Sequence, residues 1–418
     1  MLIPLSRGER RRIVMCPHAT IRLILQGTRH GTDAVKTRSN LLVLFALPFL
    51  SVSACSPEQV TNEPEISRDT VRQIIRRGQE ILTPRGIHDL REIEVGGIGQ
   101  WISVRGRDRR NPILLFIHGG PGTTEMPVSW FYQVPLEDYF VVVQWDQRGS
   151  GKTAVSNDQP AVISTITFER MAKDAEEIVS YLRREYDKDK VFVLGHSWGS
   201  LLGLELAQRR PRWLHAYVGM GQVIYTLENE AVGYRYVLAE ARRRNDQTAI
   251  HELEAIAPYP KEDGSISVED VLIQRKWVSA YGGMAWGRPN LDYETSLRLL
   301  SPDYSDADLA ADIEAINVVM QLLPQLNDVD YRSLKKLELP IFLFSGRHDY
   351  AVPSEVSSTW FEELEAPEKR IFWFEHSAHM IQFEQPGKFV RHLVEDIRPL
   401  AVEVGDAAPD DEPGTRPH

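Results

Sequence analysis

The chain of 418 residues holds only two cysteines, Cys16 and Cys55, too few for a disulfide framework or a thiolate metal centre. Positive charge is also scarce. The 48 lysines and arginines are outnumbered by 59 aspartates and glutamates, and the net charge of −11 excludes a protein whose main task is to hold nucleic acid. The apolar run from Leu41 to Leu50 has ten residues, about half of what a helix needs to cross a bilayer. No repeat or low-complexity block interrupts residues 68 to 400. What the chain does have is 42% hydrophobic residues, enough for a sizeable core, so a disordered or fibrous protein is excluded, and its length suits two or three structural units.

The first forty residues differ from the rest. They carry eight basic side chains against Glu9 and Asp33, leaving −17 for everything that follows. Lys36 and Arg38 precede the apolar run, and Val52, Ser53, Ala54 and Cys55 end it, which resembles a bacterial lipoprotein signal with Cys55 as the lipidated first residue of the mature chain. An ordinary secretory signal is the plainer alternative. The stretch before the run is long for such a signal, and translation from near Val35 rather than Met1 would give one of normal length. This pattern predicts a cell-envelope protein facing the periplasm, with the outer membrane favoured by Ser56, that touches the membrane only through its lipid. Residues 1–55 are then an export segment, 56–67 a polar tether containing Pro57 and Pro64, and 401–418 an acidic disordered tail.

Between these ends, short apolar runs alternate with amphipathic stretches, the signature of an α/β protein. Ile113–Ile117, Phe140–Val143, Val191–Leu194, Ala216–Val218, Ile341–Phe344 and Ile371–Phe374 read as strands buried on both faces of a parallel sheet. Glu92–Val95 and Trp101–Val104 alternate more and read as antiparallel edge strands. Phe168–Tyr186 and Phe389–Ile397 read as covering helices. Residues 223–332 lose this rhythm, with charged helical stretches at Ala239–Leu253 and Leu309–Leu323. The expected organisation is a core of residues 68–222 and 333–400 with a helical cap, 223–332, inserted over the strand ends.

Gly195-His196-Ser197-Trp198-Gly199 fits GxSxG between an apolar strand and the helix-like Ser200–Gln208, the context in which a serine is presented on a sharp turn. Ser197 is the candidate nucleophile. A serine hydroxyl needs a base oriented by a carboxylate, and after such an elbow both follow in the chain, acid first. Asp349 lies just past strand Ile341–Phe344 and is the candidate acid; Asp303 and Asp330 follow no core strand. The loop after Ile371–Phe374 offers His376 and His379 as the base. His118-Gly119-Gly120-Pro121-Gly122 directly follows Ile113–Ile117, so Gly119 or Gly120 can supply one oxyanion N–H and Trp198 the other.

Together HGGPG (118–122), DQRGSG (146–151), GHSWGS (195–200) and SAHMIQFEQP (377–386) resemble the proline iminopeptidase group of α/β-hydrolases, over residues 90–222 and 333–398. That resemblance implies the α/β-hydrolase fold with a helical cap, and favours His379, which precedes Glu384-Gln385-Pro386, as the base. It also implies acidic cap residues that bind a substrate's free amino terminus. Glu314 is a candidate there, with Glu228 and Glu230 behind it, and the aromatics Trp277, Tyr281 and Trp286 could line an apolar pocket. The Trp286-Gly287 segment lacks the glutamate such enzymes often carry after a tryptophan. No cofactor and no metal is implied. The expected activity is release of N-terminal residues, proline preferred, from small peptides; the alternatives are an esterase or amidase with the same triad on small acyl substrates, and a non-catalytic binding lipoprotein.

Overall fold

The computed structural model describes residues 66–311 and 316–409. The expected export segment with Cys55, most of the expected tether, Glu314 and the last nine residues lie outside the described residues. Eight strands form one sheet: β1 (Ile87–Val95), β2 (Ile98–Gly106), β3 (Ile113–Ile117), β4 (Val141–Asp146), β5 (Val191–His196), β6 (Leu214–Met220), β7 (Ile341–Gly346) and β8 (Lys369–Phe374). Their order is β1-β2-β4-β3-β5-β6-β7-β8, antiparallel across β1, β2 and β4 and parallel beyond. The alternating leading strands are thus antiparallel, but only β1 is an edge; β2 lies inside, paired with β4.

β3 to β7 are buried along their whole length, which is why their sequences are continuous apolar runs. One face packs on Met171, Ala175, Ile178 and Leu182 of helix Phe168–Glu185 and on helix Trp198–Arg209; the other packs on Tyr132, Leu136 and Phe389. Removing one of these buried leucines, Leu115 for example, costs about 2–5 kcal/mol because a cavity replaces lost contacts. The DQRGSG stretch has a structural duty in this layer: Arg148 is buried, and its Nε donates to Asp174 Oδ2 at 2.8 Å while Nη2 donates to Gly96 O.

From Thr226 to Leu326 the described residues are helices and loops with no named strand, and Tyr234, Val237, Leu253, Trp277 and Val278 form a separate small core. The expected helix Ala239–Leu253 is two helices, Thr226–Arg244 and Gln247–Ala255. Asn245 closes the first in the left-handed conformation, and Asp246 caps the second by accepting from Ala249 N–H. Leu309–Leu323 likewise corresponds to Asp306–Ala311 and Ile316–Leu326. Helix Arg68–Gly78 has no buried residue, yet Arg72 Nε donates to Ser301 O at 2.6 Å and Arg76 donates to Pro302 O, so guanidinium groups rather than apolar contacts fix it against the cap. The tail expected to be disordered from residue 401 is ordered to residue 409: Asp406 accepts from His215 Nε2 at 2.8 Å and from the Lys188 ammonium, charge-assisted bonds that composition does not reveal.

Candidate active site

In a parallel sheet the loops at the carboxyl ends of neighbouring strands share one edge, and the ends of β3, β5, β7 and β8 carry the candidate residues. Ser197 follows β5 with φ 55° and ψ −121°, a conformation that costs a residue with a Cβ of order 1–3 kcal/mol. Two hydrogen bonds hold the turn: Ser197 N–H donates to Met220 O at 2.9 Å, and Ser200 N–H donates to Ser197 O at 2.8 Å. Glycine is required on either side because a Cβ on Gly199 would fall 2.1 Å from Ile117 O, and one on Gly195 would fall 2.4 Å from Gly199 O. Helix Trp198–Arg209 starts at the next residue, so the Trp198 N–H has no carbonyl four residues back within the helix and is free to meet an anion.

The glycine loop after β3 reaches the same place, since a Cβ on Gly119 would stand 3.1 Å from Ser197 Cβ. His118 is fully buried, and burial lowers its pKa to about 4, so the ring is neutral. Its Nδ1–H donates to Gly119 O at 2.9 Å, which leaves Nε2 to accept from Gln147 N–H at 3.3 Å. The Gln147 side chain then donates to His118 O and accepts from the Trp198 indole N–H, each at 2.9 Å, tying the glycine loop to the elbow.

Acid and base come together in the same cluster. Asp349 is buried; its Oδ1 accepts from Ala351 N–H at 3.0 Å and Val352 N–H at 2.8 Å, and its Oδ2 accepts from His379 Nδ1 at 2.7 Å. His379 sits beside the elbow. A Cβ on Gly221, the residue after the carbonyl that holds Ser197, would lie 2.8 Å from His379 Cε1 and 3.4 Å from Asp349 Oδ2. His196, next to the serine, is driven to a pKa of about 3, chiefly by burial, and its neutral Nε2–H donates to His379 O at 3.0 Å. Ser197, Asp349 and His379 are therefore brought together, while His376 stacks on Trp286 at 5.1 Å and takes no part in the Asp349 contact. Asp330 is paired with Arg332, and Asp303 lies beside helix Arg68–Gly78.

A cap segment, residues 283–286, is laid across both loops: Tyr350 N–H donates to Gly283 O at 3.0 Å, and His379 N–H donates to Met284 O at 3.1 Å. Glu384 joins the two sides, accepting from Trp286 N–H and, at 2.9 Å, from Ala378 N–H. The Trp286 ring is half-exposed between His348 and His376 at the rim, rather than lining an apolar pocket, and Trp277 belongs to the cap's own core. Glu228 is exposed; Glu230 is buried and bound to Arg275 and Tyr259. Sequence reasoning missed Gln147, His196, Gly221 and the bridging role of Glu384. Gln147, His196 and Glu384 stand inside motifs already noted, which was their only signal, and Gly221 stands in none. Among the described residues no cluster of three or more His, Cys, Asp or Glu could hold a metal ion.

The α/β-hydrolase fold family matches residues 112–256. The chain is 31% identical over 322 residues to the probable aminopeptidase YbaC of Bacillus subtilis (strain 168), covering 75% of this chain and 98% of that one. It is 26% identical over 294 residues to a proline iminopeptidase of Levilactobacillus brevis, covering 69% and 89%. The crystal structure of the proline iminopeptidase of Mycobacterium smegmatis aligns with a TM-score of 0.53 at 18% identity, covering 76% of this chain and all of that one, a likeness of fold. Sheet order, elbow and relatives define a hydrolase of the α/β-hydrolase fold. Within that class the chain belongs to the proline iminopeptidase-like group.

The bridge at Glu384 gives a pH-dependent signature. Burial pushes its carboxyl up to about 7 from 4.5, opposed in part by the Trp286 and Ala378 N–H groups and Arg288. The folded chain thus holds this proton more tightly than the unfolded chain does, so the group's contribution is greatest below pH 4.5 and declines as the pH rises to about 7. Thermal unfolding of wild type and E384Q across pH 4 to 8 is therefore expected to show the melting temperature of the variant rising relative to wild type up to about pH 7 and levelling above it. A difference that does not vary with pH would contradict the raised carboxyl.

Proposed function

We propose that the protein is a serine aminopeptidase that releases N-terminal residues, proline preferred, from small peptides. Ser197 Oγ attacks the scissile carbonyl carbon while His379 Nε2 takes its proton, and Asp349 keeps the opposite ring nitrogen protonated and the imidazole in place. The carbonyl oxygen, now negative, is met by the N–H of Trp198 and that of Gly119 or Gly120. Collapse breaks the C–N bond, with His379 returning the proton to the leaving amine. Water, deprotonated by the same imidazole, then attacks the acyl-enzyme and frees the N-terminal residue and Ser197.

The observation that carries this reading is the 2.7 Å contact between Asp349 and His379 beside a serine held at φ 55°. Neutral His196 and His118 support it, because neither adds a positive charge that would oppose protonation of His379. The peptide substrate is drawn from the names of the relatives. An esterase or amidase with the same triad is the second reading, favoured by one feature: the buried cap carboxylate Glu230 is already neutralised by Arg275 and not free for a substrate ammonium.

The wild-type chain is expected to react with a fluorophosphonate probe and to hydrolyse prolyl arylamide faster than a short acyl ester. S197A should lose both the labelling and at least about 10³-fold of the rate. Labelling that survives S197A would remove Ser197 from the mechanism, and preference for the ester would move the protein to the second reading. We further propose, from the sequence alone, that the enzyme is anchored at the envelope through a lipid on Cys55. Radiolabelled palmitate should enter the wild-type protein in cells and not C55A; equal incorporation would refute the anchor site.

A further inference from the structure

The first turns of cap helix Thr226–Arg244 hold polar groups that the chemistry above does not use. Asn229 is 3% exposed, yet neither its Oδ1 nor its Nδ2 has a hydrogen-bond partner. The same holds for Thr226 Oγ1 and for Gln274 Nε2, which comes from helix Val268–Ala280. A buried amide left unpaired opposes folding, so a side chain that keeps both ends of its amide open is best explained by a ligand that completes it.

Their position points to the reacting centre. At 100° per residue, Thr226, Asn229, Glu230 and Gly233 share one stripe of the helix. Gly233 sets that stripe against the acid loop: a Cβ there would stand 2.8 Å from Tyr350 O and 2.6 Å from Gln274 Nε2, and Tyr350 follows Asp349. The stripe begins five residues after Gly221, which abuts the His379 ring. Its one carboxylate, Glu230, accepts from Nη1 and Nη2 of Arg275 and from the Tyr259 hydroxyl. With that charge matched, what remains open is neutral, one carbonyl oxygen, one hydroxyl and two amide NH₂ groups.

We propose that Thr226, Asn229 and Gln274 form a substrate subsite that binds a neutral amide group beyond the scissile bond. Asn229 Oδ1 accepts from the substrate N–H, and Asn229 Nδ2 with Gln274 Nε2 donates to the substrate C=O, the two-way pairing that a carboxamide offers a peptide group. The subsite selects peptides and peptide amides over esters that lack the group. It rests on the reading of Ser197 as the nucleophile for its place in the reaction, but binding can be measured without turnover.

Calorimetric titration of the S197A chain with prolyl-glycinamide and with proline methyl ester tests it. Adding N229L is expected to weaken prolyl-glycinamide about tenfold more than the ester, as loss of two neutral hydrogen bonds would, and to raise the melting temperature because an unpaired buried amide is gone. T226V, a smaller change, should weaken the same ligand in the same direction should N229L not fold. Equal weakening of both ligands, unchanged affinity for prolyl-glycinamide, or no binding of it by S197A would overturn the subsite. Fluorophosphonate labelling of the wild-type chain, scored separately, decides the hydrolytic reading itself.

Discussion

The contact between Asp349 and His379 is the interaction on which the rest of the site depends. It joins the loops after two adjacent strands, β7 and β8, and the sheet order places the elbow of β5 two strands from β7, with β6 between them. Much of the surrounding structure acts to hold that contact. Two backbone N–H groups fix one oxygen of Asp349, leaving the other for the imidazole. His196 and Met284 take the carbonyl and N–H of His379 from opposite sides, so the backbone that carries the ring is pinned by both core and cap. A ring aligned in advance need not be reorganised as charge develops on it, which is how preorganisation lowers a barrier.

The cap is therefore part of the site and not only a cover. Its segment 283–286 bonds to the residue after the acid and to the base itself, and the Glu384 carboxylate closes the connection from the base loop. Position of the cap segment and alignment of the imidazole are thus coupled through a few hydrogen bonds. Gly233 of helix Thr226–Arg244 abuts the same acid loop at Tyr350 O, beside the unpaired Gln274 Nε2.

Local signals carried the core. Ile113–Ile117 is a strand from end to end as its unbroken apolar run requires, and the glycines of Gly195–Gly199 stand where only hydrogen fits. The break at Asn245-Asp246 was missed, because the charged stretch around it reads as one continuous helix and the left-handed cap followed by a side-chain cap interrupts it for only two residues. Other features rest on partners far away in the chain. Helix Arg68–Gly78 is placed by arginines donating to carbonyls more than two hundred residues on, and Asp406 by His215 and Lys188. No periodicity encodes such pairs. Asn229 was invisible for a further reason: in sequence it is one polar residue on a polar helix, and only burial without a partner sets it apart.

The central claim is geometric, that one hydroxyl, one imidazole and two backbone N–H groups converge on a single reacting carbon. A crystal structure of the wild-type chain after reaction with a small phosphonate ester tests it most directly. The account predicts phosphorus bonded to Ser197 Oγ, a phosphonyl oxygen within about 3 Å of the N–H of Trp198 and of Gly119 or Gly120, and His379 Nε2 facing the Ser197 oxygen. Phosphorus on another residue, or a phosphonyl oxygen turned away from both N–H groups with the imidazole out of reach, would contradict it.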